Sequence, residues 1–200
     1  MITLAIETST PEGSVAVYAG GEIAFHDAFS ADRSHSSALF VALEKARGYA
    51  GRFDRVVVGL GPGSYAGVRI GIAAAIGMNL VLNAELVGIP SVAAFDVKEE
   101  DYFAIGDARR GAYYFTWLHR RVAQEGPRLA TEGEIRAEIG ARSLPVYSTE
   151  PVPAFPSVQI VRPSATILAE LAVEGSAIIQ SGELEPLYLR EPHITQPKPR

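Results

Sequence analysis

"VVVGLGPGSYAGVRIG", residues 56–71, joins a run of valines to three glycines, Gly59, Gly61 and Gly63, and then to a segment of small residues that suits a helix. Strand, glycine turn and helix is the order in which many proteins seat a phosphate on a helix N-terminus. Two loop chemistries use that order, and each lacks a part here. Gly61-Pro62-Gly63-Ser64-Tyr65-Ala66 matches the loose dinucleotide pattern G-x-G-x-x-A, which also wants an acid at the end of the next strand for the ribose. That strand ends at Ile89-Pro90, and Glu85 precedes its core. A P-loop needs Lys followed by Ser or Thr after its last glycine. This loop continues Gly67-Val68-Arg69, and Pro62 removes an N–H that a phosphate cradle would use.

The glycines run on past the loop. Gly67, Gly71 and Gly77 fall inside the expected helix, Ser64 to Asn83, beside Ala74 and Ala75. Each costs about 1 kcal/mol relative to alanine in a helix interior. Small residues four apart let another backbone approach closely, which offsets such a cost. That backbone belongs to the chain's own sheet, its first helix or another chain. The expectation drawn here is that these glycines clear a surface for another protein's helix.

Outward from this stretch, residues 1 to about 90 read β-β-β-α-β-α-β. "ITLAI" is a buried strand ending at Glu7-Thr8-Ser9, followed by "SVAVYA", a Gly20-Gly21 hairpin turn and "EIAFHDAF". A helix through "SSALFVALEKAR" takes Ser34 as its cap and sets Leu39, Leu43 and Ala46 on one face. "RVVVGL" is apolar enough for a central strand, and "AELVGIP" is a fifth. The second half begins in the same way. "FAIGDARRGAYYFTWLHRRV" repeats the strand, acid, glycine turn and strand of "LAIETSTPEGSVAVYAGGEI", with Asp107 answering Glu7 and Gly111 answering Gly13. A short helix at "LATEGEIRAEIG" capped by Thr131, strands at "SLPVYST" and "SVQIVRP", and a helix at "SATILAELAVE" capped by Ser164 follow. The proline-rich end is expected to be irregular.

Composition narrows the function. The chain has 200 residues, 48% hydrophobic and 20% charged, which is a globular balance. Its net charge is −5, whereas proteins that grip nucleic acid alone show a basic surface. Any role on RNA is therefore expected to run through a partner. Without cysteine there is no thiol catalysis or Cys-ligated zinc. "MITLAIETS" lacks the basic start of a signal peptide, and Gly77, Asn79, Asn83 and Glu85 interrupt the longest apolar stretch. A cytoplasmic protein without a membrane span is expected.

Besides the glycine loop, three segments carry candidate chemistry beside a plainer role. Glu7-Thr8-Ser9 could hold a metal-bound phosphate or simply shape the turn before Pro11. His26, His35, His119 and His193 show no metal-binding spacing such as H-x-x-x-H. Asp107-Ala108-Arg109-Arg110-Gly111 could bind an anion or close a local salt bridge. No Ser/His/Asp order or carboxylate pair stands out elsewhere.

"LAIETS", "SHSSAL", "GLGPGSYAGVRIG", "DARRGAYYF" and "PLYLREP" occur in this order and together resemble the bacterial TsaB (YeaZ) family. "GPGSYAGVRIG" is the most specific, being similar to the family's P-G-S-F-T-G-L-R-I-G. The resemblance spans essentially the whole chain. It implies the ASKHA (actin/sugar kinase/Hsp70-like, ribonuclease H-like) α/β fold, two related lobes each with a mixed sheet flanked by helices, here divided as 1–98 and 99–200. It implies a non-catalytic scaffold that binds a TsaD-like catalytic subunit, with a TsaE-like ATPase in the same assembly, during formation of N6-threonylcarbamoyladenosine at position 37 of tRNAs. ATP and metal are then expected on the partner subunits, with no intrinsic cofactor, and tRNA is met only through the complex. A homodimer through the same face is expected in isolation. The matching interface residues are Ser36, Leu39, Phe40 and Leu43 of the first helix, with Tyr65, Gly67, Val68, Ile70, Gly71, Ala74, Ala75 and Met78 of the second. Three departures stand out: Glu7 where the family usually has Asp, Ala112 where it often has Glu, and Tyr65-Ala66 for Phe-Thr. The chain is also short for the family, implying a trimmed second lobe. A small ATP-binding ASKHA enzyme is the alternative. A metallopeptidase lacks ligands, and a Rossmann oxidoreductase lacks its acid.

Overall fold

The computed structural model describes residues 1–30 and 35–189, with the side chains of residues 35 and 36 left undescribed. The proposed cap Ser34 and the proline-rich end therefore lie outside the described residues.

The first half follows the expected order: β1 (Thr3–Glu7), β2 (Glu12–Ala19), β3 (Glu22–Ser30), α1 (His35–Ala50), β4 (Arg55–Gly59), α2 (Tyr65–Leu82) and β5 (Glu85–Ile89). A short 3-10 turn, Ser91–Ala94, leads into β6 (Asp101–Asp107), β7 (Tyr113–His119), β8 (Val122–Ala130), α3 (Glu132–Arg142), β9 (Val146–Ser148), β10 (Gln159–Ile160), α4 (Ala165–Glu174) and β11 (Gln180–Ser181). The first sheet is ordered β11-β5-β4-β1-β2-β3 and the second β10-β9-β6-β7-β8. Without β11 the two orders are the same. In each, the first strand pairs antiparallel with the second and parallel with the fourth. The echo in the sequence is thus a repeated topology. Glu7 and Asp107 close β1 and β6 at matching points, but Gly13 lies inside β2 whereas Gly111, at φ +71°, forms the turn before β7.

Alternation along the buried strands feeds two cores. Leu4, Ile6, Val15, Val17, Val56 and Val58 face α1 and α2. Their neighbours Ala5, Ala16, Val57 and Val87 face the opposite way, against Leu168 and Leu171 of α4. That second core continues into Tyr102, Ala104, Leu118 and Tyr147 of the second sheet, so both sheets share it. The α4 N-terminus is fixed from both halves: Ser164 caps Thr166 N, and Ala165 N donates to Ser14 Oγ of β2 at 3.0 Å. Thr131 caps α3 through a reciprocal capping box with Glu134.

Two strands escaped the sequence reading, β8 and β11. The second repeat also has no helix between β9 and β10, where the first repeat places α2. Val152 and Phe155 of that connection fill the second sheet's outer core instead, against Phe103, Phe115 and Ile135.

Candidate functional site

The glycines of the opening stretch meet the chain's own first turn. Cβ atoms built on Gly63, Gly67 and Gly71 would come within 3.0 Å of Ser9 carbonyl oxygen, Thr8 carbonyl oxygen and Thr8 Oγ1 respectively. Ser64 N donates to Ser9 O at 2.7 Å, and Thr8 Oγ1 donates to Gly67 O at 2.9 Å. The expectation that Gly67 and Gly71 open a surface for a foreign helix is therefore corrected: Thr8 occupies that space. Gly77 is different, with nothing within 4 Å of its built Cβ.

The same packing buries Glu7. Its Oε1 accepts from Ser9 N at 2.6 Å, and a Cβ on Gly59 would collide with its other oxygen and with Ser91 Oγ. Burial pushes the Glu7 carboxyl above its usual range, opposed by hydrogen bonds from Ser9 and Ser91. The acid at the end of β1 is a fully buried group packed beside Gly59 and Ser91, and its Oε2 has no hydrogen-bond partner among the described residues.

α2 is apolar on nearly every side, and Arg69 is its one charged residue. By length and composition alone it could cross a membrane. Gly67, Val68, Gly71, Ile72, Ala74 and Ala75 pack inward, the i, i+4, i+7, i+8 spacing of one helical face. Ile70, Ala73, Gly77 and Val81 form a second stripe. This stripe and α1 bound a groove of about 710 Å³, lined also by Phe40, Leu43, Met78 and Leu82, with Glu44 and Arg47 at its rim. Val81 is 83% exposed and Phe40 57%. Leu80, outside the lining, is 79% exposed on the same helix. Such a contiguous apolar patch is a mark of an interaction surface.

The expected interface residues divide accordingly. Phe40, Ile70 and Met78 line the groove, with Leu43 and Ala74 in its floor. Leu39, Gly67, Val68, Gly71 and Ala75 belong to the interior. The Ser36 side chain lies outside the described residues. Tyr65 sits away from the groove, stacked on Tyr188 at 5.3 Å between ring centroids. Gly77, one of the glycines expected to clear a surface, does line the groove, while Ala73, Val81 and Leu82 were not singled out by the sequence reading. Ala73 and Val81 share the stripe i, i+3, i+7, i+11 from Ile70, which on a helix with only one charge looks like its other faces.

A second concavity of about 830 Å³ lies between the halves, lined by Ser9, Gly61–Ala66, Asp107, Arg109, Tyr114 and Glu150 among others. Asp107 accepts from Arg109 N at 2.7 Å and pairs with its guanidinium at 3.3 Å, the local salt bridge foreseen as one option. Burial raises the Tyr114 phenol well above its ordinary value. Among the described residues, no three His, Cys, Asp or Glu side chains gather as metal ligands. His119 instead contacts Asp101 at 3.0 Å.

Two like-ordered mixed sheets with flanking helices and a cleft between them define an ASKHA-type α/β protein. A family model described as TsaD, tRNA N6-adenosine threonylcarbamoyltransferase, matches residues 29–129. The chain belongs to that family, within its TsaB (YeaZ) group. It is 32% identical to an uncharacterized protein of Mycobacterium leprae (strain TN), over 67% of this chain and 40% of that protein. It is 33% identical to the tRNA threonylcarbamoyladenosine biosynthesis protein TsaB of Haemophilus influenzae, over 58% of this chain and 53% of that protein. The chain thus spans about half or less of these two relatives. The solved structure of YeaZ from Pseudomonas aeruginosa superposes with a TM-score of 0.74 at 20% identity, covering 94% of this chain and 99% of that one.

Proposed function

We propose that this protein is a non-catalytic scaffold in the cytoplasm that binds a TsaD-type transferase and supports formation of N6-threonylcarbamoyladenosine at position 37 of tRNAs. Family membership supports the pathway. The observation that carries the scaffold role is the apolar groove between α1 and α2, continuous with exposed Phe40 and Val81. An apolar groove between two helices suits a partner helix laid along it. ATP and metal belong to the partner subunits, a TsaE-like ATPase joins the assembly, and tRNA is engaged through the complex. Without a partner, two copies associate through the same groove.

The decisive experiment is co-purification with the TsaD-type subunit of the same organism, followed by tRNA modification with and without this chain. Gly71 is unsuited to such a test, because enlarging it displaces Thr8. Met78→Glu and Val81→Glu, on the groove, are expected to abolish both complex and modification while leaving the circular dichroism spectrum unchanged. A complex that survives both substitutions refutes the groove as the docking site.

A further inference from the structure

The two walls of the α1–α2 groove differ in charge. The α2 wall is made of apolar side chains and Gly77 alone, whereas the α1 wall adds Glu44 and Arg47 to Phe40 and Leu43. Both charged side chains are exposed, and neither has a hydrogen bond or ion pair among the described residues. Lys45, between them, turns the other way and holds Asp27 of β3 at 2.8 Å. Glu44 and Arg47 stand three residues apart, roughly 4.5 Å along the helix axis. A helix laid in the groove passes both. Covering them without counter-charges would strip water from two unpaired ions.

The topology supplies a direction. α1 and α2 lead by short loops into β4 and β5, which are parallel neighbours. The two helices therefore run the same way, and Arg47 occupies the last turn of α1. A third helix running the opposite way sets its dipole against both of theirs and brings its N-terminal half beside Arg47. Acids are favoured in a first turn and meet Arg47 there. A base one turn further along then falls opposite Glu44. We propose that the partner helix lies antiparallel to α1 and α2, with an aspartate or glutamate against Arg47 and, three or four residues later, a lysine or arginine against Glu44. This rests on the scaffold reading and adds the direction and chemistry of the partner. A second copy is the poorer occupant. Its α1 has the same order of charges but satisfies both pairs only about an axis between Lys45 and Ala46. Residue 51 then falls opposite Phe40, one place beyond the end of α1 at Ala50, and that part of the groove stays uncovered.

The test is calorimetric titration of the full chain with the TsaD-type subunit at two salt concentrations, with Met78→Glu as the groove control and thermal melts to show that each variant is folded. The charge exchange, Glu44→Arg with Arg47→Glu, is expected to weaken binding about tenfold at low salt and less at high salt, since two attractive pairs become repulsive. The reciprocal exchange on the partner helix restores it. Single alanine variants locate each pair: Arg47→Ala couples with the partner's acid, and Glu44→Ala with the base that follows it. If Met78→Glu abolishes binding while the charge exchange stays within about twofold of wild type, the size of screened surface pairs, this proposal falls and the scaffold reading stands. Coupling in the reverse order along the partner, or with none of its charged residues, also overturns it. If the exchange weakens self-association of the isolated chain in sedimentation but leaves partner affinity intact, the occupant that reads these charges is a second copy and the proposal is overturned. If the wild-type proteins do not bind, both fall.

Discussion

One helix contains both an obligatory glycine and a dispensable one, and substituting each by alanine separates them. In a helix interior alanine is favoured over glycine by about 1 kcal/mol, partly because glycine leaves the unfolded chain freer. At Gly77 the new methyl meets nothing within 4 Å. The full gain is therefore expected, a stabilisation of about 0.5–1 kcal/mol and a rise in Tm of about 1–4 °C for a chain of this size. At Gly67 the methyl would fall within 3.0 Å of the Thr8 carbonyl oxygen, a backbone atom fixed by β1 on one side and by the Ser64–Ser9 hydrogen bond on the other. Displacing packed backbone costs about 1–3 kcal/mol or more, and losing the Thr8–Gly67 hydrogen bond adds about 1 kcal/mol. Against the propensity gain of about 1 kcal/mol, Gly67→Ala is expected to destabilise by about 1–3 kcal/mol. Urea denaturation of the isolated chain at neutral pH, followed by far-ultraviolet circular dichroism, reads both variants with one slope. Equal stability of Gly67→Ala and wild type would refute the seating of the first turn on α2. A Gly77→Ala variant less stable than wild type would refute the open groove.

Two further predictions concern the buried Glu7 and the segment 93–97 before β6. The Glu7 carboxyl titrates higher folded than unfolded, so the native state binds the extra proton between the two values, and stability falls as pH rises through that window. Glu7→Gln keeps an acceptor for Ser9 N and removes this slope; denaturation profiles from pH 4 upward check it, and an unchanged slope would assign the pH dependence elsewhere. Arg121 donates to the carbonyl oxygens of Ala93, Phe95 and Val97 at 3.0, 2.7 and 2.9 Å. Arg121→Ala strands those linker carbonyls, and a loss of about 2–3 kcal/mol with new proteolytic cleavage near residues 95–100 is expected; an uncleaved, equally stable variant would show that the clamp is redundant.

The sequence carried the first repeat almost completely, because its strands are long apolar runs and its turns carry glycine pairs. It also carried the α3 and α4 caps, since Thr131 and Ser164 satisfy orphan helix N–H groups through local geometry. What escaped depended on distant partners. β8 holds Gly126-Pro127 and a half-exposed pattern, tolerated because it is an edge strand. β11 is two polar residues whose strand character exists only beside Val87 and Gly88. At the candidate site the helix was legible but its faces were not. A helix apolar all round gives no clue to which stripe meets its own sheet, so the small residues were assigned outward. Only the position of Thr8, 59 residues from Gly67, settles the matter.

The shared core between the two sheets has a mechanical consequence. Ala5, Val57, Leu168, Tyr102 and Tyr147 belong to one apolar mass, and opening the cleft by swinging the halves apart would wet it. A hinge of that kind would have to expose interior surface at about 25 cal/mol per Å², a penalty that grows with every degree of rotation. The cleft walls are therefore set at a fixed spacing, and the molecule behaves as a single bracket. Any displacement of the first sheet carries α4 and the second sheet with it, because all three pack into the same interior.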